Sequence, residues 1–412
     1  MEFFSKNIEL WGEDIPWLAG FREKNLRAFE KQGFPNAKTE AWKYSYFKPE
    51  VIKSAEIDTT PHECEGDCHC HEHEKSDYYE IKFCDGKLTT EHFDFGAGII
   101  VKPLVEALYD GEAKTHLSKN FEAQNFPFAA LNNAFLQEGV LILIERKTAL
   151  KKPIYLHYHS HGKNNLFCNI HNIIALENGA EAVVLEDYEG EGGQYFNNIV
   201  NEIFVGTEAN LKHYKKQAES LSAYHVALNA VSVRQNGKYE AFLEHRECSF
   251  ARTESFVRLI EKGAEAIVNG VYKLENSGVS DITTNIRHLA EHTTSNQLVK
   301  GVLDGAAKGV FQGQIHIAKD AVKTSGNQLH RALLLSDEAS VDCKPELEIF
   351  ADDVKCSHGA TSGDLDAEQL FYMQSRGIRL EEAKKILIGA YLNEVLQKID
   401  NIEIKDWLWN NF

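Results

Sequence analysis

Four segments of this chain repeat one phrase: Gly179-Ala-Glu-Ala-Val-Val184, Thr207-Glu-Ala-Asn-Leu-Lys212, Asn236-Gly-Lys-Tyr-Glu-Ala241 and Gly263-Ala-Glu-Ala-Ile-Val268. Each places a turn-forming pair ahead of a short strand-like run. Counted from the residue after the turn (Ala180, Ala209, Lys238 and Ala264), the spacings are 29, 29 and 26. Gly305-Ala-Ala-Lys308 and Glu338-Ala-Ser-Val341 keep the phrase but not the spacing. A near-constant period of strands and tight turns, with no helical pattern between them, predicts a β-solenoid. Each coil leaves an apolar face that only the next coil covers. A β-sandwich is the competing reading, but its strands usually recur every 8 to 12 residues or so. The expected core is therefore a parallel β-helix over residues 140–362.

Helical patterns flank this core. In region 1–60, Trp17, Leu18, Phe21, Leu26 and Phe29 recur at spacings that fit one helix face, and Gly33-Phe-Pro-Asn36 breaks the run. Region 78–139 is a mixed strand and helix connection, opening with the strand-like Tyr78–Cys84 and the turn pair Asp85-Gly86. In region 363–412, Asp366 and Gln369 predict a capped helix carrying Leu370, Phe371 and Met373, which Gly377 ends. A second helix follows with Leu380, Ala383, Ile386, Leu387, Ala390, Tyr391 and Val395 on one face.

The 412 residues carry 44 basic and 62 acidic side chains, a formal charge of -18. That balance argues against nucleic-acid and anionic-membrane partners, which need basic surface. The amino terminus has no basic segment followed by an apolar stretch. Apolar runs such as Val140–Ile144 fall far short of the roughly 18 residues needed to span a bilayer. Eight cysteines in a chain of this kind are read as thiols or ligands rather than a disulfide framework. The expected compartment is the cytoplasm.

Catalytic motifs are missing from the sequence. There is no GxxxxGK[ST] phosphate loop, no GxSxG elbow and no HExxH pair. Gly190, Gly192 and Gly193 lack the accompanying Lys and hydroxyl residue, so ATP hydrolysis by this chain is not expected, and neither is an enzyme.

The carboxy-terminal stretch does carry chemistry. In Val354-Lys-Cys-Ser-His358, period-2 geometry sends Cys356 and His358 to one strand face, with Cβ atoms roughly 6 to 7 Å apart. Thiolate and imidazole are competent ligands for iron or a small cluster. Two ligands do not complete a site, and a small buried thiol beside a strand-end histidine is the plainer alternative.

Lys344-Pro-Glu-Leu-Glu-Ile-Phe-Ala-Asp-Asp-Val-Lys-Cys-Ser-His-Gly-Ala-Thr-Ser-Gly363, with Asp366, Leu370-Phe-Tyr372 and Ser375-Arg-Gly-Ile378, resembles the carboxy-terminal motif of the SufB/SufD family of iron–sulfur cluster assembly scaffolds. It resembles the SufD branch more closely than the SufB branch. Gly33-Phe-Pro35 with Glu40-Ala-Trp-Lys-Tyr44, and Phe128-Ala-Ala-Leu-Asn132 through Pro153-Ile154, resemble two further family segments. The resemblance implies a right-handed parallel β-helix with helical ends. It implies partnership with SufB and the ATPase SufC, the latter docking on Leu370, Phe371, Tyr372, Arg376, Gly377 and Ile378. It also implies transient iron–sulfur cluster assembly at the SufB–SufD interface, with His358 contributed by this chain and Cys356 beside it. Participation of reduced flavin, and a homodimer of the isolated chain, stay open. His330, Arg331 and Cys343 depart from the family pattern.

Residues 61–77 form an acidic loop in which His62, Cys64, Cys68, His69, Cys70, His71 and His73 offer seven candidate ligands. Imidazole and thiolate suit a soft divalent metal. A solvated loop that binds metal only adventitiously is the alternative, and a metal store or metallochaperone centred here is the rival function. A β-helix carbohydrate enzyme is a weaker rival, since no Asp pair repeats through the coils. Cys84, Cys168 and Cys248 read as core, and His157, His159 and His161 as a solvated strand end. A metal-handling loop predicts that deleting residues 61–75 lowers the metal bound by the purified chain under chelator competition; unchanged stoichiometry refutes it.

Overall fold

The computed structural model describes residues 10–12, 14–45, 47–48, 50, 77–163 and 165–409. The strands are β1 (Tyr79–Cys84), β2 (Lys87–Leu88), β3 (Ile99–Pro103), β4 (Val140–Ile144), β5 (Ile154–Ser160), β6 (Leu166–Leu176), β7 (Glu181–Gly190), β8 (Tyr195–Val205), β9 (Asn210–Ala218) and β10 (Tyr224–Val233). They continue as β11 (Lys238–His245), β12 (Phe250–Leu259), β13 (Glu265–Leu274), β14 (Val279–His288), β15 (Thr294–Leu303), β16 (Lys308–Ile317), β17 (Thr324–Leu334), β18 (Ser340–Ile349) and β19 (Val354–Gly363). From β4 onward, strands alternate between two sheets. One runs β19-β17-β15-β13-β11-β9-β7-β5-β1-β2 and the other β18-β16-β14-β12-β10-β8-β6-β4-β3. All pairings are parallel except β1 with β2 and β3 with β4. This is the parallel β-solenoid that the repeated phrase predicts.

Paired residues on successive coils are separated by 29 (Glu181 and Asn210), 28 (Asn210 and Lys238), 27 (Lys238 and Glu265) and 29 (Glu265 and Thr294) positions. Ala180, Ala209, Gly237 and Ala264 occupy the same place, each donating its backbone N–H to the carbonyl three residues back. Gly237, rather than Lys238, is therefore the counterpart of the alanines. That one-residue shift is why the sequence count came out as 29 and 26. A methyl at Gly237 would meet the Gly206 carbonyl at 2.8 Å, so this turn takes glycine.

The interior is apolar along most of its length, with Ile142, Ile174, Ile203, Val231, Leu259 and Ile286 all buried in one cluster. Tyr272 is fully buried, and its hydroxyl sits 2.9 Å from His330 Nε2. Phe311 stacks on the His330 ring at 5.0 Å. His330, unusual against the family pattern, is a packed core residue whose pKa burial lowers to about 4. It is neutral at physiological pH.

Among the described residues, six helices lie outside the coils: α1 (Pro16–Gln32), α2 (Leu104–Tyr109), α3 (Pro127–Ala134), α4 (Ala367–Ser375), α5 (Leu380–Leu396) and α6 (Ile402–Trp409). Phe29 of α1 and Phe128 of α3 join Trp42, Phe47, Phe167, Phe196 and Phe250 in an aromatic layer on the β8 and β10 sheet. On the opposite sheet, Leu392, Val395, Leu396, Ile404 and Leu408 cover the outward-facing Leu185, Tyr214, Phe242, Val271 and Val302. Among the described residues no helix is long and apolar enough to cross a membrane.

Glycine on the inner face makes room for Tyr272: a methyl at Gly301 would lie 2.0 Å from its ring. Gly301→Ala is expected to destabilise the fold by about 1–3 kcal/mol through overpacking, read as a lower denaturant midpoint with an unchanged slope.

Candidate functional site

The last coil differs from all others because no coil follows it. β18 and β19 each form the outer edge of their sheet, so among the described residues their outer backbone groups have no strand partner. Register defines what the coil presents. Gly326 and Gln328, on the inner face of β17, pair with Cys356 and His358, and Phe311 on β16 pairs with Cys343. Cys343, Cys356 and His358 thus belong to the interior layer of the solenoid, but at its uncovered end. Cys343 and Cys356 are half-buried and His358 is exposed. Cys356 packs beside Ile315, Ile317, Ala321 and Ala351. The two predicted ligands share one strand face, roughly 6.6 Å apart at 3.3 Å per residue. Cys343, which departs from the family pattern, lies in the same terminal layer on the facing strand.

Burial pushes the Cys343 thiol up to about 11. Burial also raises the Cys356 thiol, partly opposed by a backbone hydrogen bond with Gly326. Both are neutral thiols at pH 7, so either becomes a thiolate ligand only when a metal or cation compensates the charge.

Beyond the last strand, Asp366 Oδ1 accepts from the Glu368 and Gln369 amides (2.8 and 3.1 Å) and starts α4 as predicted. Gly377 follows with φ 87°, a conformation that favours glycine at a helix end. The α4 helix has no buried residue. Phe371 is 73% and Tyr372 59% exposed, Arg376 lies over the Tyr372 ring at 5.2 Å, and Leu370 and Ile378 are half-buried. The six residues singled out in the sequence therefore form a continuous stretch with exposed aromatic surface. Its successor α5 anchors on the sheet, with Lys300 Nζ donating to Glu394 Oε2 (2.7 Å) and to the Tyr391 carbonyl (2.8 Å).

His62, Cys64, Cys68, His69, Cys70, His71 and His73 lie outside the described residues. Two features escaped the sequence reading. One is a polar network inside the coils, where Asn172 Nδ2 donates to Asn201 Oδ1 and Asn201 Nδ2 to Asn229 Oδ1 (both 2.9 Å). Recurrence of Asn at the coil period was the available signal. The other is at the first coil, where Cys84, Asp85 and His161 converge, their ligand atoms all within 4.8 Å of one another. His157, His159 and His161 do share a face, but they are half-buried rather than solvated. Cys84, Cys168 and Cys248 are buried as expected.

Two family models match most of the chain. Residues 158–391 match the family model described as the SUF system FeS cluster assembly SufBD core domain, and residues 1–156 match the SufBD protein N-terminal region. An iron–sulfur cluster assembly SufBD family protein of Synechocystis is 31% identical over 285 residues, 67% of this chain and 63% of that protein. Protein ABCI7 of the Arabidopsis thaliana chloroplast is 32% identical over 301 residues, covering 71% of this chain and 63% of its own length. The Escherichia coli iron–sulfur cluster assembly protein SufD is 30% identical over 282 residues, 68% of this chain and 67% of that protein.

The exposure pattern predicts that native-state alkylation reaches Cys356 and Cys343 before Cys84, Cys168 and Cys248. Because burial raises both pKa values, labelling should keep accelerating above pH 9, where an ordinary thiol levels off; peptide-resolved mass spectrometry over a pH series checks this.

Proposed function

The chain belongs to the SufBD family of iron–sulfur cluster assembly proteins, and on that premise we propose that it is a non-catalytic scaffold subunit that pairs with SufB through its last coil and holds the ATPase SufC on α4. The observation that carries this reading is the uncovered final coil. A solenoid end whose two edges have no strand partner among the described residues, over a half-exposed interior layer, is a liability for a lone chain and a ready template for another β-chain. His358, Cys356 and Cys343 lie in the interior layer that this end leaves uncovered. A second coil seated there would bury them and supply the ligands this chain lacks.

The chemistry follows from incompleteness. Iron and sulfide are the cargo of assembly, and a nascent cluster needs thiolate or imidazole ligands that bind it and later release it. His358 is exposed and supplies imidazole nitrogen directly. Cys356 is a protonated thiol two residues away, and it becomes a ligand only as iron replaces its proton. A donor set split between two chains lets a movement of either subunit change the coordination. The exposed Phe371 and Tyr372 provide an aromatic anchor on one short helix, with the Arg376 cation just past its end, the residue types that dominate protein interfaces. Nucleotide hydrolysis, for which this sequence has no phosphate loop, would come from the partner bound there.

Co-expression with SufB and SufC, followed by affinity isolation with iron and sulfide analysis, tests the reading. His358→Ala is expected to leave the three-chain complex intact while cluster content falls well below half of the native level. Full cluster content in that variant, or no complex with the native chain, overturns the proposal. Phe371→Asp combined with Tyr372→Ser is expected to release SufC while SufB stays bound, because α4 contributes no buried side chain to this fold.

A further inference from the structure

At the first coil, about 38 Å from β19 at roughly 4.8 Å per strand across the sheet, three chemically different ligands meet. The sequence puts Cys84 at the end of β1 and Asp85-Gly86 in the two-residue turn to β2, with positive φ at both turn residues (49° and 81°). Gly86 is obligatory there, since a methyl on it would lie 2.8–3.0 Å from Cys168. The parallel partner β5 brings His159 opposite Cys84, and the chain continues to His161. The Asp85 amide donates to the His159 carbonyl, and Asp85 Oδ1 accepts from the His161 amide, both at 2.9 Å. Backbone hydrogen bonds therefore fix all three residues relative to one another before any ligand arrives.

The side chains converge. Cys84 Sγ lies 3.2 Å from His161 Nδ1, and Asp85 Oδ2 lies 3.4 Å from the same nitrogen. A tetrahedral ion with bonds of about 2.3 Å to sulfur and 2.0–2.1 Å to nitrogen and oxygen sets its ligand atoms roughly 3.4–3.6 Å apart. Both measured edges fall within a few tenths of an ångström of that spacing. Asp85 Oδ2 is also a buried carboxylate oxygen, held by ion pairing to Lys163 and His161 rather than by a well-aligned hydrogen bond. Its residue is 3% exposed, and an oxygen in that state calls for a cation. Lys163 Nζ, 3.1 Å from it on a side chain 58% exposed, supplies positive charge from the solvent side. A metal ion taking that place would neutralise the same buried carboxylate.

We propose that Cys84, Asp85 and His161 form a mononuclear site for a divalent cation of the zinc and iron(II) class, built from residues other than those of the terminal coil and of the His62–His73 ligand set. Thiolate, imidazole and carboxylate together suit these borderline ions and disfavour calcium and magnesium, which take oxygen ligands. On binding, the Cys84 thiol loses its proton to solvent and Lys163 swings off Asp85. No redox change is involved. Three protein ligands leave a fourth position for water or a transferable group, the composition of an exchangeable rather than a closed structural site. His159, whose ring centroid is 4.8 Å from that of His161, flanks the site.

The test uses the full chain with His62, Cys64, Cys68, His69, Cys70, His71 and His73 all replaced by serine, so that the loop cannot contribute. Cobalt(II) titration of this chain is expected to give one equivalent of bound metal with a near-ultraviolet thiolate-to-cobalt charge-transfer band. Losing even an outer-sphere partner costs metal sites about tenfold or more in affinity, so His161→Ala should cost at least that. Cys84→Ser should abolish the band. His161 is partly exposed, so its variant is expected to melt like the parent and to decide the question even if the buried Cys84 variant fails to fold. No charge-transfer band in the seven-serine chain, or a band and affinity indifferent to His161→Ala, overturns the site. Neither result bears on pairing with SufB, which is read by complex isolation.

Discussion

Everything in this molecule depends on one constraint: a coil of a parallel solenoid cannot complete its own interior, and the coil above must do so. Strand-to-strand backbone hydrogen bonds in the solenoid run between coils, and so do the contacts that bury Ile174 against Ile203 and Val231. Such a stack has two ends, and each must be dealt with. At the first coil the chain supplies antiparallel β3 against β4 and the β1–β2 hairpin against β5, closing the stack with its own backbone. At the last coil no described residue does the same. The thiols and histidine at that end are interior positions that lack a covering coil among the described residues.

The same stacking lets the interior hold charge. Glu186 and His213 are wholly buried and meet at 2.5 Å, with Lys215 also fully buried nearby. Burial alone would raise the Glu186 pKa, but the His213 and Lys215 charges and hydrogen bonds bring it down to about 2. Burial depresses Lys215 to about 8 against the pull of Glu186 and Glu219. Tyr188 donates to Glu186, and Asn201 donates to the other carboxylate oxygen at 2.7 Å. A buried carboxylate persists only when its lone pairs are satisfied this fully. Removing one member would leave the rest unpaired, so the network favours a single register of the coils.

The architecture was legible because the turn phrase has a physical period. The sequence missed its detail at Gly237, where a close carbonyl selects glycine in place of alanine and shifts the count by one. Helix α4 was legible from Asp366 and Gly377, which act through local geometry alone. The terminal ligands were only half legible. Period-2 alternation gave Cys356 and His358 one face, but their position at the uncovered end follows from how many coils the chain builds. Cys343 was missed for the same reason: it sits on the other sheet, and no local pattern links it to Cys356. The Cys84, Asp85 and His161 cluster joins a hairpin to a strand end some 76 residues later. Only tertiary pairing of β1 with β5 brings those segments together.

The two last helices bear on how the molecule unfolds. A bare solenoid has only nearest-neighbour contacts and can fray coil by coil from either end. Here α5 packs on β13 and β15, while α6 reaches back to the opening coils. Trp407 Nε1 donates to Asp187 on β7 at 3.2 Å and its ring lies against Tyr155 on β5. Arg246, just past β11, donates to the Leu408 carbonyl at 2.5 Å. The carboxy terminus is thus a lengthwise splint that ties late coils to early ones. It adds high-separation contacts to a chain of local steps, which slows folding and couples the opening of late coils to that of early ones. A partner pulling on the exposed α4 would load the whole sheet at once, not one coil.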